Sequence, residues 1–447
     1  MASHYGPPGG LHYILNTKLD YIEVLDTTFD RWKMKLAAVL ASLLCLAFSF
    51  PVFNTQPWSL LPFATNWGRK DRLVKTGPDE FRLVSEEDKL SMKKRGQKFI
   101  DMTAQIPIDL AVEQGLVRKP SLSLWENLLV IGSKQISTLS KPIPVYNYPS
   151  VTAYGSEVKR LYQLIDVDLM LKQLTKFTSF YSRYYKAASG AESAQWLFDQ
   201  LSALVSPFEE ISITKVHHLG WDQFSIIVSI PGQVDDKVVV GAHQDSANLI
   251  LPNLMRAPGA DDDGSGSVTI LESLRILLEA YKEGASSFKP YNTLEFHWYS
   301  AEEGGLLGSI DVFTRYSKAN EVVVGMLQQD MTGYTQGAID AGVEPHFGLI
   351  ADYTSVDLNN FLKLIIDEYN SIPYHESQCG YACSDHASAL ENGYPSSFLI
   401  ESEMKYTNKY IHSTMDTIDR LDWDHIKEHV KLTVAYAYEL SLAKDLH

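Results

Sequence analysis

From about residue 154 to the C-terminus, apolar and polar positions follow two alternating periods. Helical spacing predicts amphipathic helices over residues 166–186, 191–205, 268–283, 356–369 and 423–442. Between them lie β-branched or alternating runs at 224–230, 237–241, 293–300, 322–328, 346–351 and 397–401, which read as strands. In TLEFHWYS, Leu294, Phe296 and Trp298 fall on one face, as a pleated strand requires. The runs 224–230 and 237–241 read as neighbouring strands. Strand alternates with helix, so the expected fold is α/β: a three-layer αβα sandwich around a mostly parallel central sheet. No internal repeat interrupts the pattern.

The front of the chain is different. Residues 36–50, LAAVLASLLCLAFSF, form an apolar run behind Arg31, Lys33 and Lys35, with small Ala47 and Ser49 near its end. This suits the core of a signal peptide and is short for a bilayer span. Met34 directly precedes Lys35, so translation is expected to start there. The expected organisation is an upstream extension at 1–33, a signal peptide at 34–50, a pro-region at 51–150 and the α/β domain at 151–447. Within the pro-region, Ser85-Glu86-Glu87-Asp88 has the form of a helix-starting capping box. Residues 141–154, rich in Pro and Tyr, read as a linker. A secreted, extracellular protein without a stable membrane anchor follows from this reading, and a monomer is expected.

Composition narrows the partners. Hydrophobic content of 45% is that of a globular protein, and a net charge of −16 without a basic block argues against nucleic acid. Of three cysteines, Cys45 lies in the signal-like run. The remaining pair, Cys379 and Cys383 in CGYAC, can close a small disulfide in an oxidising compartment or stay as two buried thiols.

Chemistry gathers at predicted strand ends. The run VVVGAHQDS delivers His243 and Asp245 at its tip, and APGADDDGSGSV follows with Asp261, Asp262 and Asp263 in a row. Three adjacent aspartates repel one another unless a cation neutralises them. The run 293–300 leads into Glu302-Glu303, the run 322–328 into Asp330, and a late loop carries His412. Two imidazoles with three or more carboxylates suit zinc, and cobalt or manganese less well. One carboxylate shared by two ions would give each metal a histidine, a terminal carboxylate and a bridging oxygen.

GAHQDS, APGADDDGSGS, SAEEGGLLGS, LQQDMTGY, CGYACSDH and YIHSTMDT, in this order, resemble the zinc aminopeptidases of peptidase family M28, above all its secreted bacterial and fungal leucyl aminopeptidases. The likeness spans residues 172–417. It implies two zinc ions, one held by His243 and Asp330, the other by Glu303 and His412, with Asp262 bridging them and a cis peptide after Asp262. It further implies Glu302 as general base, Asp245 as the acceptor that orients His243, and Tyr381 as the phenol that stabilises the oxyanion. It implies that Cys379 and Cys383 pair. The family's apolar specificity pocket maps onto Met331, Phe398, Ile400, Met404 and Ile411, where Ile400 and Met404 stand in place of expected aromatics.

The implied activity is release of N-terminal, apolar residues from peptides with a free N-terminus, with the protein's own pro-region as a possible inhibitor. Rival readings are a carboxypeptidase, which needs a cation near the pocket, a single-zinc glutaminyl cyclase, or a non-catalytic ectodomain. Asp263, and Asp261 with it, can also be read as turn and cap residues. His217, His218, His297, His346 and His375 match no motif position and read as structural or surface residues. His386 lies beside the site by motif but is not a ligand in the family.

Overall fold

In the strand Val234–His243, successive valines serve opposite layers: Val238 and Val240 enter one apolar cluster and Val239 the other. That alternation is what buries a strand on both faces. The computed structural model describes residues 71–118, 142–282 and 288–447. The expected signal, the upstream extension and the first part of the expected pro-region lie outside these residues.

In chain order, a small N-terminal module comes first: β1 (Arg72–Gly77), β2 (Glu80–Val84), α1 (Glu86–Lys94), β3 (Ile100–Asp101) and α2 (Ile108–Glu113). The α/β domain follows with α3 (Gly155–Leu161), α4 (Val167–Phe177), α5 (Ala188–Val205), β4 (Ser212–Val216), β5 (Ser225–Ile230) and β6 (Val234–His243). Next are α6 (Gly266–Lys282), β7 (Asn292–Tyr299), α7 (Leu307–Ala319), β8 (Val323–Gln329), α8 (Gln336–Asp340) and β9 (Phe347–Ile350). The chain ends with α9 (Val356–Tyr369), β10 (Tyr374–Ser377), α10 (His386–Glu391), β11 (Ser396–Ile400) and α11 (Trp423–Leu442).

The eight-stranded sheet has the order β10-β9-β11-β8-β6-β7-β5-β4. Its centre is parallel: β6 pairs in parallel with both β7 and β8, and β8 with β11. Helices α4, α5, α6, α9 and α11 share one apolar cluster with the sheet, while α7 and α10 supply the other face. The three-layer expectation holds. One detail differs: β5 and β6 are not neighbours, because β7 lies between them and pairs antiparallel with β5. No helix of the described residues is long and apolar enough to cross a membrane.

The helix predicted over 166–186 stops at Phe177, although its start, capped by Asp166 on the Leu169 N–H, is as expected. Beyond it the chain must extend so that Arg183 can reach under the site. That guanidinium is fully buried and donates to the carbonyls of Gln244 (2.8 Å), Pro258 and Gly259 (2.8 Å). It also lies 4.2 Å over the ring of Phe177.

The expected linker is not free chain either. Tyr146 is buried in the main core, Tyr148 donates to the Val324 carbonyl at 2.6 Å, and Glu439 of α11 accepts the Ala153 and Tyr154 N–H groups. Two tyrosine rings and their paired backbone make this segment part of the α/β domain.

The N-terminal module forms its own three-stranded sheet, β2-β1-β3. The capping box is present, Ser85 and Asp88 satisfying each other's backbone N–H at the start of α1. Leu73, Ile100, Met102 and Val117 of the module pack in one cluster with Leu306, Ile310, Ala382 and Ala387 of the domain. Burying a large aliphatic side chain is worth roughly 1.5–3 kcal/mol, and this cluster joins the module to the domain.

Candidate metal centre

Four parallel strands bring the candidate residues to one place. His243 ends β6, Glu302 and Glu303 follow β7, Asp330 follows β8, and His412 lies in the loop after β11. Crevices at the carboxyl ends of parallel strands are where such sheets carry their sites. Asp262 enters from the turn before α6, with a cis peptide to Asp263, as expected.

The geometry is that of a shared carboxylate. Asp262 Oδ1 lies 3.1 Å from His243 Nε2, and Asp262 Oδ2 lies 2.9 Å from His412 Nε2. A second carboxylate flanks each histidine, Asp330 Oδ1 at 3.5 Å from His243 Nε2 and Glu303 Oε1 at 3.2 Å from His412 Nε2. Two donor sets result, His243/Asp262/Asp330 and Asp262/Glu303/His412, meeting at Asp262. Asp330 Oδ1 and Glu303 Oε1 are buried without a hydrogen bond. Buried anionic oxygens left so are costly, and divalent cations fit where they point.

Charge confirms the crowding. Burial alone would raise the Glu303 carboxyl, but the His412 and Lys93 charges outweigh it and hold it at about 2. Burial would lower His412, yet Glu303 and Asp262 raise it to about 10. Glu302 goes the other way: burial lifts its carboxyl, and Lys93 and His243 offset this only partly.

The neighbouring acids hold the scaffold. His243 Nδ1 lies 3.2 Å from the Asp245 carbonyl oxygen and 3.4 Å from its carboxylate, and that carboxylate accepts the N–H groups of Glu302 (3.0 Å) and Glu303 (3.1 Å). It therefore orients one histidine and both glutamates. Asp263 accepts the N–H groups of His243, Gly266 and Met331, tying β6, α6 and the loop after β8 together. Asp261 accepts from the Gly333 N–H and Asn408 Nδ2. The turn needs Gly259, at φ +55°, where a Cβ would meet Ser246 Cβ at 2.5 Å and Asp262 O at 2.6 Å.

Met331, Phe398, Ile400, Met404 and Ile411 line one apolar cavity that opens on His243, Asp262, Asp330 and His412. Cys379 and Cys383 stand with Cα atoms 6.0 Å apart and their sulfurs in contact. Tyr381 departs from expectation. Its hydroxyl donates to Glu391 Oε2 at 3.1 Å, and its ring packs on Tyr353, so it does not line the cavity. Glu391 is itself held by buried Lys75 of the N-terminal module.

Three participants escaped the sequence reading. Asp416 accepts the N–H groups of Asp261 (3.0 Å) and Asp262 (3.1 Å), and Ser384 donates to Asp330 Oδ2 at 2.6 Å. Both lie inside quoted motifs, YIHSTMDT and CGYACSDH, whose polar residues were the available signal. The third is Lys93, at the end of α1, whose Nζ lies 2.7 Å from Glu303 Oε2 and 3.3 Å from Glu302 Oε2. Lys98 and Phe99 line the same cavity. The cations at the pocket, absent from the pocket motifs, thus come from the module.

The family model for Peptidase family M28 matches residues 225–437. Over 376 residues the chain is 44% identical to Leucine aminopeptidase 1 of Paracoccidioides brasiliensis, covering 83% of this chain and 90% of that relative. The chain belongs to peptidase family M28. This M28 aminopeptidase is also 44% identical over 396 residues to Leucine aminopeptidase 1 of Penicillium rubens, covering 88% of this chain and 95% of the relative. Among solved structures, the LapA aminopeptidase of Legionella pneumophila is similar with a TM-score of 0.68 at 28% identity, covering 84% of this chain and 99% of that one.

Proposed function

We propose that this aminopeptidase is a secreted di-zinc exopeptidase that removes apolar, leucine-type N-terminal residues and is made as an inhibited precursor. The observation that carries the reading is Asp262, whose two oxygens each face a different histidine at 3.1 and 2.9 Å. His243 and Asp330 would hold one ion, Glu303 and His412 the other. Zinc bound there would supply Lewis-acid polarisation of the scissile carbonyl and acidify water toward neutrality.

The chain's own residues do the rest. Glu302, its carboxyl raised by burial, takes the proton of the attacking water and returns it to the leaving amine. Asp245 fixes His243 and the Glu302–Glu303 backbone. Met331, Phe398, Ile400, Met404 and Ile411 receive an apolar side chain. Cys379 and Cys383 fix the loop that bears Tyr381, whose hydroxyl would serve as oxyanion donor only after leaving Glu391.

Inhibition follows from the module, which we read as the folded part of the pro-region. The Lys93 ammonium occupies acidic ground beside Glu302 and Glu303 that a substrate's α-ammonium would seek. The Lys75–Glu391 pair holds the acceptor that engages the Tyr381 hydroxyl. Removal of the module would free both groups. The test is hydrolysis of a leucyl peptide by trimmed and full-length protein, beside the N-acetylated peptide and with a chelator. Faster, zinc-dependent cleavage of only the free-amine peptide by the trimmed protein supports the reading. Equal rates before and after trimming would remove the inhibitory part, and cleavage of the acetylated peptide the exopeptidase part.

A further inference from the structure

His346, His375 and Glu403 bring three ligand-type atoms within 4.8 Å of one another at the β10 edge of the sheet, outside the central cluster. His346 immediately precedes β9, and His375 sits in β10, paired in parallel with β9. Glu403 comes from the loop after β11.

His346 is fully buried, and its Nδ1 stands 2.7 Å from the Glu344 carbonyl oxygen, which makes Nδ1 the protonated nitrogen. A carbonyl on one ring nitrogen fixes the tautomer and aims the other, the usual support behind a metal-ligating histidine. The His346 Nε2 accepts the Glu403 N–H at 3.3 Å, a long hydrogen bond that a bound ion would displace, and lies 3.7 Å from Glu403 Oε2. His375 Nδ1 lies 3.2 Å from the same carboxylate oxygen. The two rings stack with centroids 4.0 Å apart. Lys405 occupies the other carboxylate oxygen at 3.1 Å, which leaves Oε2 to the imidazoles.

We propose that His346, His375 and Glu403 form a peripheral site for a borderline divalent transition cation of the zinc class. Two imidazoles and a carboxylate are a three-ligand zinc set, with water completing the coordination. Metal binding would require the His375 ring, stacked on His346 here, to turn so that its nitrogen points at the ion. Such an ion cross-links β10 to the loop after β11. The next residue, Met404, lines the substrate cavity and donates its N–H to Ser377 Oγ at 3.0 Å, two residues beyond His375. Occupancy therefore sets how tightly one wall of the apolar pocket is held.

The test adds Zn2+ alone to the full chain and to His375→Ala and Glu403→Gln, and measures bound zinc by equilibrium dialysis and elemental analysis. Both variants should hold one equivalent fewer than wild type, with unchanged thermal midpoints before zinc is added. The difference between proteins carries the test, so it does not depend on how many ions the central cluster takes. In trimmed protein, excess zinc should shift KM for a leucyl substrate in wild type and not in His375→Ala, with kcat unchanged in both. Retention of the full zinc complement by either variant overturns the site. A KM shift that persists in His375→Ala overturns its link to the pocket.

Discussion

Lys93 Nζ lies 2.7 Å from Glu303 Oε2, the carboxylate whose other oxygen faces His412 at 3.2 Å. A residue of the N-terminal module thus shares a glutamate with the candidate metal centre. Burial would lower the Lys93 ammonium, but the charges of Glu302 and Glu303 raise it well above the ordinary lysine range. It stays charged at any physiological pH.

On the proposed inhibition by the module, Lys93→Ala should raise the activity of the full-length chain. Hydrogen bonds to charged groups are worth about 1.5–3 kcal/mol, so leucyl-peptide hydrolysis by full-length protein should rise roughly tenfold or more. The trimmed enzyme, which lacks residue 93, sets the upper limit. Steady-state rates of the two full-length proteins check this, and equal rates would contradict it.

Glu302→Gln should keep fold and zinc but lose about 10²–10⁴ in kcat, the contribution of a positioned general base. Trimmed protein is the material to use, with zinc content measured beside activity. Turnover near wild type would remove Glu302 from its role.

Arg183→Met should cost about 2–5 kcal/mol of stability, because three buried carbonyls, those of Gln244, Pro258 and Gly259, lose their donor together. Urea unfolding reads this directly. A loss below about 1 kcal/mol would mean that the turn before α6 holds itself.

The fold was legible wherever periodicity and burial agreed. Residues 423–442 and 356–369 read as helices and form α11 and α9 with those bounds. Where a tertiary partner decides, pattern fails. The helix after Asp166 gives way because Arg183 must span three carbonyls, and β7 lies between β5 and β6 because pairing order leaves no local trace. The candidate ligands were legible as strand-end acids and histidines. Lys93 was not: a lysine on a charged, half-exposed helix carries no sign of the site it enters 209 residues away.

Acid should weaken the fold through buried neutral histidines. His386 is fully buried, stacks on Phe398 with centroids 5.0 Å apart, and is pushed by burial down to about 3. An unfolded histidine titrates near 6.5, so between about pH 6.5 and 3 the unfolded chain binds the extra proton. Stability is therefore complete above about pH 6.5 and is lost as pH falls, by about 1.4 kcal/mol per unit for this group. Relative to His386→Leu, wild type should show that slope in urea unfolding between about pH 6 and 4. Parallel curves would contradict the buried neutral state.

The central claim is that Asp262 joins two metal ions. The direct measurement is anomalous diffraction at the zinc edge from crystals of the zinc-loaded protein. The account predicts two peaks roughly 3.5–4 Å apart. One should lie against His243 and Asp330, the other against His412 and Glu303, with an Asp262 oxygen on each. A single peak in the cluster, or two peaks not bridged by Asp262, would contradict it.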